Sequence, residues 1–249
     1  MPHVPSSILR TSRRHQGLLI TVTLLAAFVL VSPSALQAGE CARQPGAADA
    51  WRLEAHDLDA LHDDVGSPQT VEFRTGRPAD DEGAYESVAH MHMLVDVEAR
   101  VLADVLRDVE RQPDFMPRLV HANVICSELE EEGFLRVEQE LSFRILIFRR
   151  DYRYVIDYFI EDDVDEAGAF RVWWALSDPG DGQIVTNSGS WYVRRVEIDG
   201  SEYSYLAYGV HTVFARRQAG LRTALRRFGE RDVRNAMEAL YEEAARRES

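Results

Sequence analysis

Downstream of Tyr85 the chain alternates apolar and polar residues in short blocks, the period-two pattern of strands with one covered face. Tyr85–Val95 predicts a first strand. Val101, Leu102, Val105, Leu106 and Val109 then recur at helical spacing and predict a helix over 97–109, closed by Pro113. A short helical turn, Asp114-Phe115-Met116-Pro117, follows. Six further strands are predicted over 119–129, 134–148, 151–160, 169–176, 184–198 and 203–214. Turn residues part most of them: Glu132-Gly133, Ala167-Gly168, Pro179-Gly180-Asp181-Gly182 and Asp199-Gly200. The chain closes on a long amphipathic helix with Leu221, Leu225, Phe228, Met237, Leu240 and Ala244 on one side, and Gly229 at a bend or close approach. This order predicts an α+β domain in which a curved antiparallel sheet of seven strands wraps the last helix, with two short helices between strands one and two.

The faces of these strands point to a ligand cavity. Leu135, Val137, Gln139, Leu141 and Phe143 share one face, opposite Arg136, Glu138, Glu140, Ser142 and Arg144, so Gln139 is an isolated polar group on an apolar wall. In the next strand Tyr152, Tyr154 and Tyr158 share the inward face. Three inward tyrosines each need a hydroxyl partner, which the rim of a solid core or a pocket with a few polar groups could supply. Trp174 and Trp191 add aromatic wall, and Trp173 must point the other way from Trp174. The expected lining is Gln139, Leu141, Phe143, Tyr152, Tyr154, Tyr158, Trp174, Trp191 and His211, roofed by Met237 and Leu240.

The stretch 102–117, a helix ending at Asp108 and followed by Pro113, Phe115, Met116 and Pro117, resembles the START-like (SRPBCC) superfamily. Gly189-Ser190-Trp191 and the final helix over 228–244 are similar too. That superfamily includes polyketide cyclases, coenzyme Q-binding Coq10-like proteins and plant lipid binders. The resemblance spans about residues 84–247 and implies a helix-grip domain over 84–249. It also implies a hydrophobic ligand such as a quinone, sterol or other lipid, without naming one, because fold does not fix function. Two alternatives stay open. One is a cyclase or aromatase using Tyr154, Tyr158 or His211 as acid or base. The other is an interaction scaffold whose interior has filled in.

Residues 1–38 read as a secretory signal: Arg10, Arg13 and Arg14, then an apolar run of 15 residues over 17–31, then small residues up to Ala38. A bilayer-spanning helix needs roughly 20 residues, so the run is short for an anchor. The expected product is an exported, monomeric protein beginning at Gly39, with a 39–83 extension ahead of the domain. Within that extension Trp51, Ala55, Leu58 and His62 predict one short helix, and the rest reads as irregular. Export gives meaning to the two cysteines. A Cys41–Cys126 bridge is the sole intramolecular pairing, against a buried free thiol at Cys126.

Charge removes whole classes of function. The formal net charge is −14, and all 28 basic residues are arginine. Nucleic acid is a poor partner for such a surface, and lysine-based chemistry is excluded. His90 and His92 face the same side of one strand, yet no third ligand is indicated by spacing, so neither metal nor cofactor is expected. Asp163-Val164-Asp165 lacks the calcium-loop pattern, Gly180-Asp181-Gly182 lacks a dinucleotide fingerprint, and no nucleophile elbow occurs. One surface feature stands out. Alternation fails at Ile145-Leu146-Ile147-Phe148, and Arg149, Arg150 and Arg153 follow at once. An apolar tip beside arginines, here Ile147, Phe148, Arg149 and Arg150, suits transient contact with a membrane. The competing reading is that the N-terminal extension covers this tip as ordinary core.

Overall fold

Long alternating blocks give long strands, and all seven predicted strands form. The computed structural model describes residues 57–78, 83–145, 148–215 and 220–249. The elements are α1 (Leu58–His62), β1 (Gln69–Gly76), β2 (Tyr85–Val95), α2 (Ala99–Arg107), a 3-10 helix (Val109–Asp114), β3 (Leu119–Glu128), a single turn α3 (Leu129–Glu132), β4 (Phe134–Ile145), β5 (Phe148–Asp163), β6 (Ala169–Asp178), β7 (Ile184–Ile198), β8 (Ser201–Phe214) and α4 (Leu221–Glu248). The strands make one antiparallel sheet in the order β1-β2-β8-β7-β6-β5-β4-β3. Register shifts in the β1–β2, β3–β4, β5–β6 and β7–β8 pairs mark bulges, which bend a sheet and increase its twist. With α4 across the inner face, this is the helix-grip arrangement.

The sheet has eight strands rather than seven. The extra one, β1, comes from the segment read as irregular, so a domain start at residue 84 cuts the first hairpin of the sheet. Its apolar content was too low to register, because Val71 is exposed and Phe73 is the one large residue turned to α4. Contacts with α4 fix it in place. Thr70 donates to Glu230 (2.8 Å), Arg234 donates to the Pro68 carbonyl, and the Phe73 ring rests on Gly229. An added Cβ at Gly229 would lie 2.9 Å from Phe73 Cζ, so the glycine marks the close approach anticipated there.

Both faces of the sheet are partly covered. On the inner face Leu102, Val105 and Leu106 of α2 share one core with Met237, Leu240 and Ala244 of α4. On the outer face Leu61 of α1 joins Leu94, Tyr205 and Ala207 in a second, smaller cluster. The short N-terminal helix therefore uses Leu58 and Leu61, while Trp51 and Ala55 lie outside the described residues. His62 of α1 sits 3.3 Å from the Tyr203 hydroxyl.

The C-terminal end of α4 is locked by charge. Arg246 and Arg247 both donate to Glu243, and Arg247 also donates to Asp108 at 2.9 Å. Asp108 thus ties the end of α2 to α4, a structural role in keeping with its place at the helix end. Hydrogen bonds from Arg246 and Arg247 pull the Glu243 carboxyl down to about 2 from an ordinary 4.5, despite opposing desolvation. Its folded-state value lies below its unfolded one, so its stabilisation is complete above the unfolded value and fades as pH falls through the folded one. Acid titration of the melting temperature should therefore include a loss between pH 4.5 and about 2 that is reduced in Glu243→Gln. Leu240 is fully buried, and Leu240→Ala should cost about 2–5 kcal/mol in denaturant unfolding.

Candidate functional site

Where α4 leaves the inner face of the sheet uncovered, a cavity of 220 Å³ opens. Its wall comes from residues of seven strands, β2 to β8, and from the 112–118 segment, and its roof from α4 between Leu225 and Ala236. Gln139, Leu141 and Phe143 reach it from β4, Tyr154, Ile156 and Tyr158 from β5, and Trp174 from β6. Strand parity delivers each of these as expected. On the roof, Leu225, Gly229, Asp232, Val233 and Ala236 face the cavity.

Five polar groups of the wall pair with one another. Gln139 Nε2 donates to the Tyr158 hydroxyl at 3.1 Å, and the Tyr154 hydroxyl donates to Gln139 Oε1 at 3.3 Å. Trp174 Nε1 donates to Asn187 Oδ1 at 3.0 Å. Burial pushes Tyr158 up to about 12 and raises Tyr154 and Tyr208 as well, so all three stay protonated. Trp191, Tyr208 and Trp174 form an aromatic wall: Trp191 and Tyr208 have centroids 4.2 Å apart, and Tyr208 stacks on Trp174 at 6.0 Å. At the more exposed side Arg118 Nη2 and Asp232 Oδ1 pair at 3.1 Å, linking the turn after Pro117 to α4. Arg118 adopts the left-handed region (φ 69°) to make that turn.

Four expected lining residues are placed elsewhere. Tyr152 lies in the solid core between Phe143 and Phe214. Met237 and Leu240 directly follow the roof, the first next to Ala236 and the second one turn on, and are packed rather than facing the cavity. His211 points to the outer face, its Nε2 3.2 Å from Glu86 Oε2, because the inward residues of β8 are Tyr208, Val210, Thr212 and Phe214. Tyr208 and Asn187 were missed. Tyr208 shares the parity of the inward set, the one signal that could have found it.

The remaining calls separate cleanly. Cys126 is disulfide-bonded and half-buried on β3, whereas Cys41 lies outside the described residues. Leu146 and Ile147 lie outside them too, as does the side chain of Phe148. Arg149 and Arg150 are exposed at the start of β5, and Arg149 donates to Asp151 at 2.8 Å. His90 faces Glu72 at 3.6 Å and His92 faces the Tyr205 hydroxyl at 3.4 Å. No cluster of three or more His, Cys, Asp or Glu able to hold a metal occurs among the described residues.

No protein-family model matches the chain, and no curated protein matches it. Solved structures with a related shape do exist. The STAR-related lipid transfer protein (fragment 25–204) from Xanthomonas axonopodis is 15% identical, over 70% of this chain and 98% of that one, with a TM-score of 0.49. The Zhui aromatase/cyclase from Streptomyces sp. R1128 is 16% identical over 65% and 95%, with a TM-score of 0.46. A START superfamily protein from Mycobacterium smegmatis is 7% identical over 64% and 97%, at 0.45. These matches are START-superfamily and cyclase structures. At such scores and identities they decide nothing about ligand or activity.

Gly189 opens the aromatic wall. A Cβ there would lie 2.3 Å from Trp174 Cζ2 and 2.4 Å from the Gly209 carbonyl oxygen, and the backbone cannot yield as a side chain can. Gly189→Ala should therefore destabilise the fold by about 1–3 kcal/mol in denaturant unfolding, with a changed near-ultraviolet tryptophan signal.

Proposed function

We propose that this chain is an exported binder or carrier of a small hydrophobic molecule, held between the sheet and the part of α4 from Leu225 to Ala236. The observation that carries the reading is the 220 Å³ cavity, walled by aromatic and aliphatic side chains with a few oriented polar groups. Its existence weighs against a scaffold with a filled interior. The cyclase reading loses its base, because His211 is on the outer face. Among the described lining residues the charged groups are Arg118 and Asp232, which neutralise each other. Raised tyrosine hydroxyls are poorer proton donors than free ones.

Export rests on the charged, apolar and small-residue order of 1–38, and a Cys41–Cys126 bridge accords with it. A carrier must load at a surface, and the apolar segment 145–148 with Arg149 and Arg150 is the proposed point of transient membrane contact. The decisive experiment is native mass spectrometry on protein isolated from the cell envelope. It should begin at Gly39 and carry an apolar molecule that is lost in Ala236→Phe, which fills the cavity, at an unchanged melting temperature. An intact Met1 overturns export. A molecule retained by Ala236→Phe overturns the site.

A further inference from the structure

The cavity is specific about what it can hold, and this step rests on the proposed binding role. Its 220 Å³ is small for a membrane lipid with two acyl chains. A dry cavity of about 150 Å³ accommodates one benzene ring, and 220 Å³ is about half as large again. One ring or two fused rings fit, whereas the pockets of drug-sized ligands span roughly 300–1,000 Å³.

Charge narrows the class further. Of the charged residues that line the cavity, Arg118 and Asp232 are paired at the exposed side. A charged ligand placed among Gln139, Tyr154, Tyr158 and Tyr208 would lose its hydration without meeting a counter-ion. An aromatic molecule is favoured, since Trp191, Tyr208 and Trp174 cluster along one wall of the cavity.

The aromatic wall of Trp191, Tyr208 and Trp174 carries one hydroxyl, that of Tyr208. Gln139 is shared between Tyr154 and Tyr158, and the Trp174 indole is taken by Asn187. The Tyr208 hydroxyl makes no hydrogen bond to any described residue, although its ring lines the cavity and burial keeps it neutral. Tyr208 is half-buried and lines the cavity, so its hydroxyl is available to a ligand oxygen there. We infer that the ligand is a compact, uncharged one- or two-ring compound bearing a hydroxyl or carbonyl oxygen, and that Tyr208 is the residue that recognises that oxygen.

The test compares four probes on the purified full chain by calorimetry: 1-naphthol, naphthalene, palmitate and phosphatidylcholine. The expected order is 1-naphthol tightest, naphthalene weaker, and the two lipids without measurable binding. Tyr208→Phe keeps the ring contacts, and should weaken 1-naphthol by about three- to tenfold while leaving naphthalene and the melting temperature unchanged. If palmitate or phosphatidylcholine binds in preference to 1-naphthol, the ring-compound inference is overturned and the binding role stands. If 1-naphthol binds equally to wild type and Tyr208→Phe, the assignment of Tyr208 fails. If no apolar probe binds at all, both the inference and the proposed function fall.

Discussion

Strands spaced about 4.8 Å apart make the inner face of an eight-stranded sheet about 33 Å wide, whereas a helix with its side chains is about 10–12 Å across. One helix cannot cover that face, so the sheet has to bend around it and the uncovered part has to be filled or left open. This fold does both in different places. At the C-terminal half of α4, Met237, Leu240 and Ala244 meet α2 in a solid core. Around its middle, where Gly229 and Ala236 are small and no α2 residue lines the space, the gap becomes the cavity. Function is proposed where the packing runs out.

The cavity survives because its wall is held from several sides. Gln139 joins Tyr154 and Tyr158, so this part of the polar interior is internally paired. The N-terminal segment holds the roof from the opposite edge. β1 pairs with β2 and reaches α4 through Thr70, Phe73 and the Arg234 contact to Pro68. A segment that reads as a surface extension thus positions the helix on which the ligand site depends.

The parity of β4 and β5 was legible because one face of each is polar and the other apolar, and that contrast is what a period-two pattern records. Gln139, Tyr154 and Tyr158 could be placed from it. In β8 the pattern is erased. Leu206 and Tyr208 face the inner side while Tyr205 and Ala207 are buried outside under α1, so both faces are apolar. With no contrast to read, His211 was assigned inward and Tyr208 was overlooked.

Sequence by itself determined seven of the eight strands and their antiparallel order, the long closing helix and the net charge, because hydrophobic periodicity records which side of each element is covered. It did not determine how completely each side is covered. The stripe of α4 looks alike along its length, yet the part from Leu225 to Ala236 borders open space and the rest does not, since the difference is made by α2 and β1 arriving from distant parts of the chain. Periodicity is a property of one element, and a cavity is a property of the distance between several. Tertiary structure alone decided where that distance exceeds the reach of the side chains.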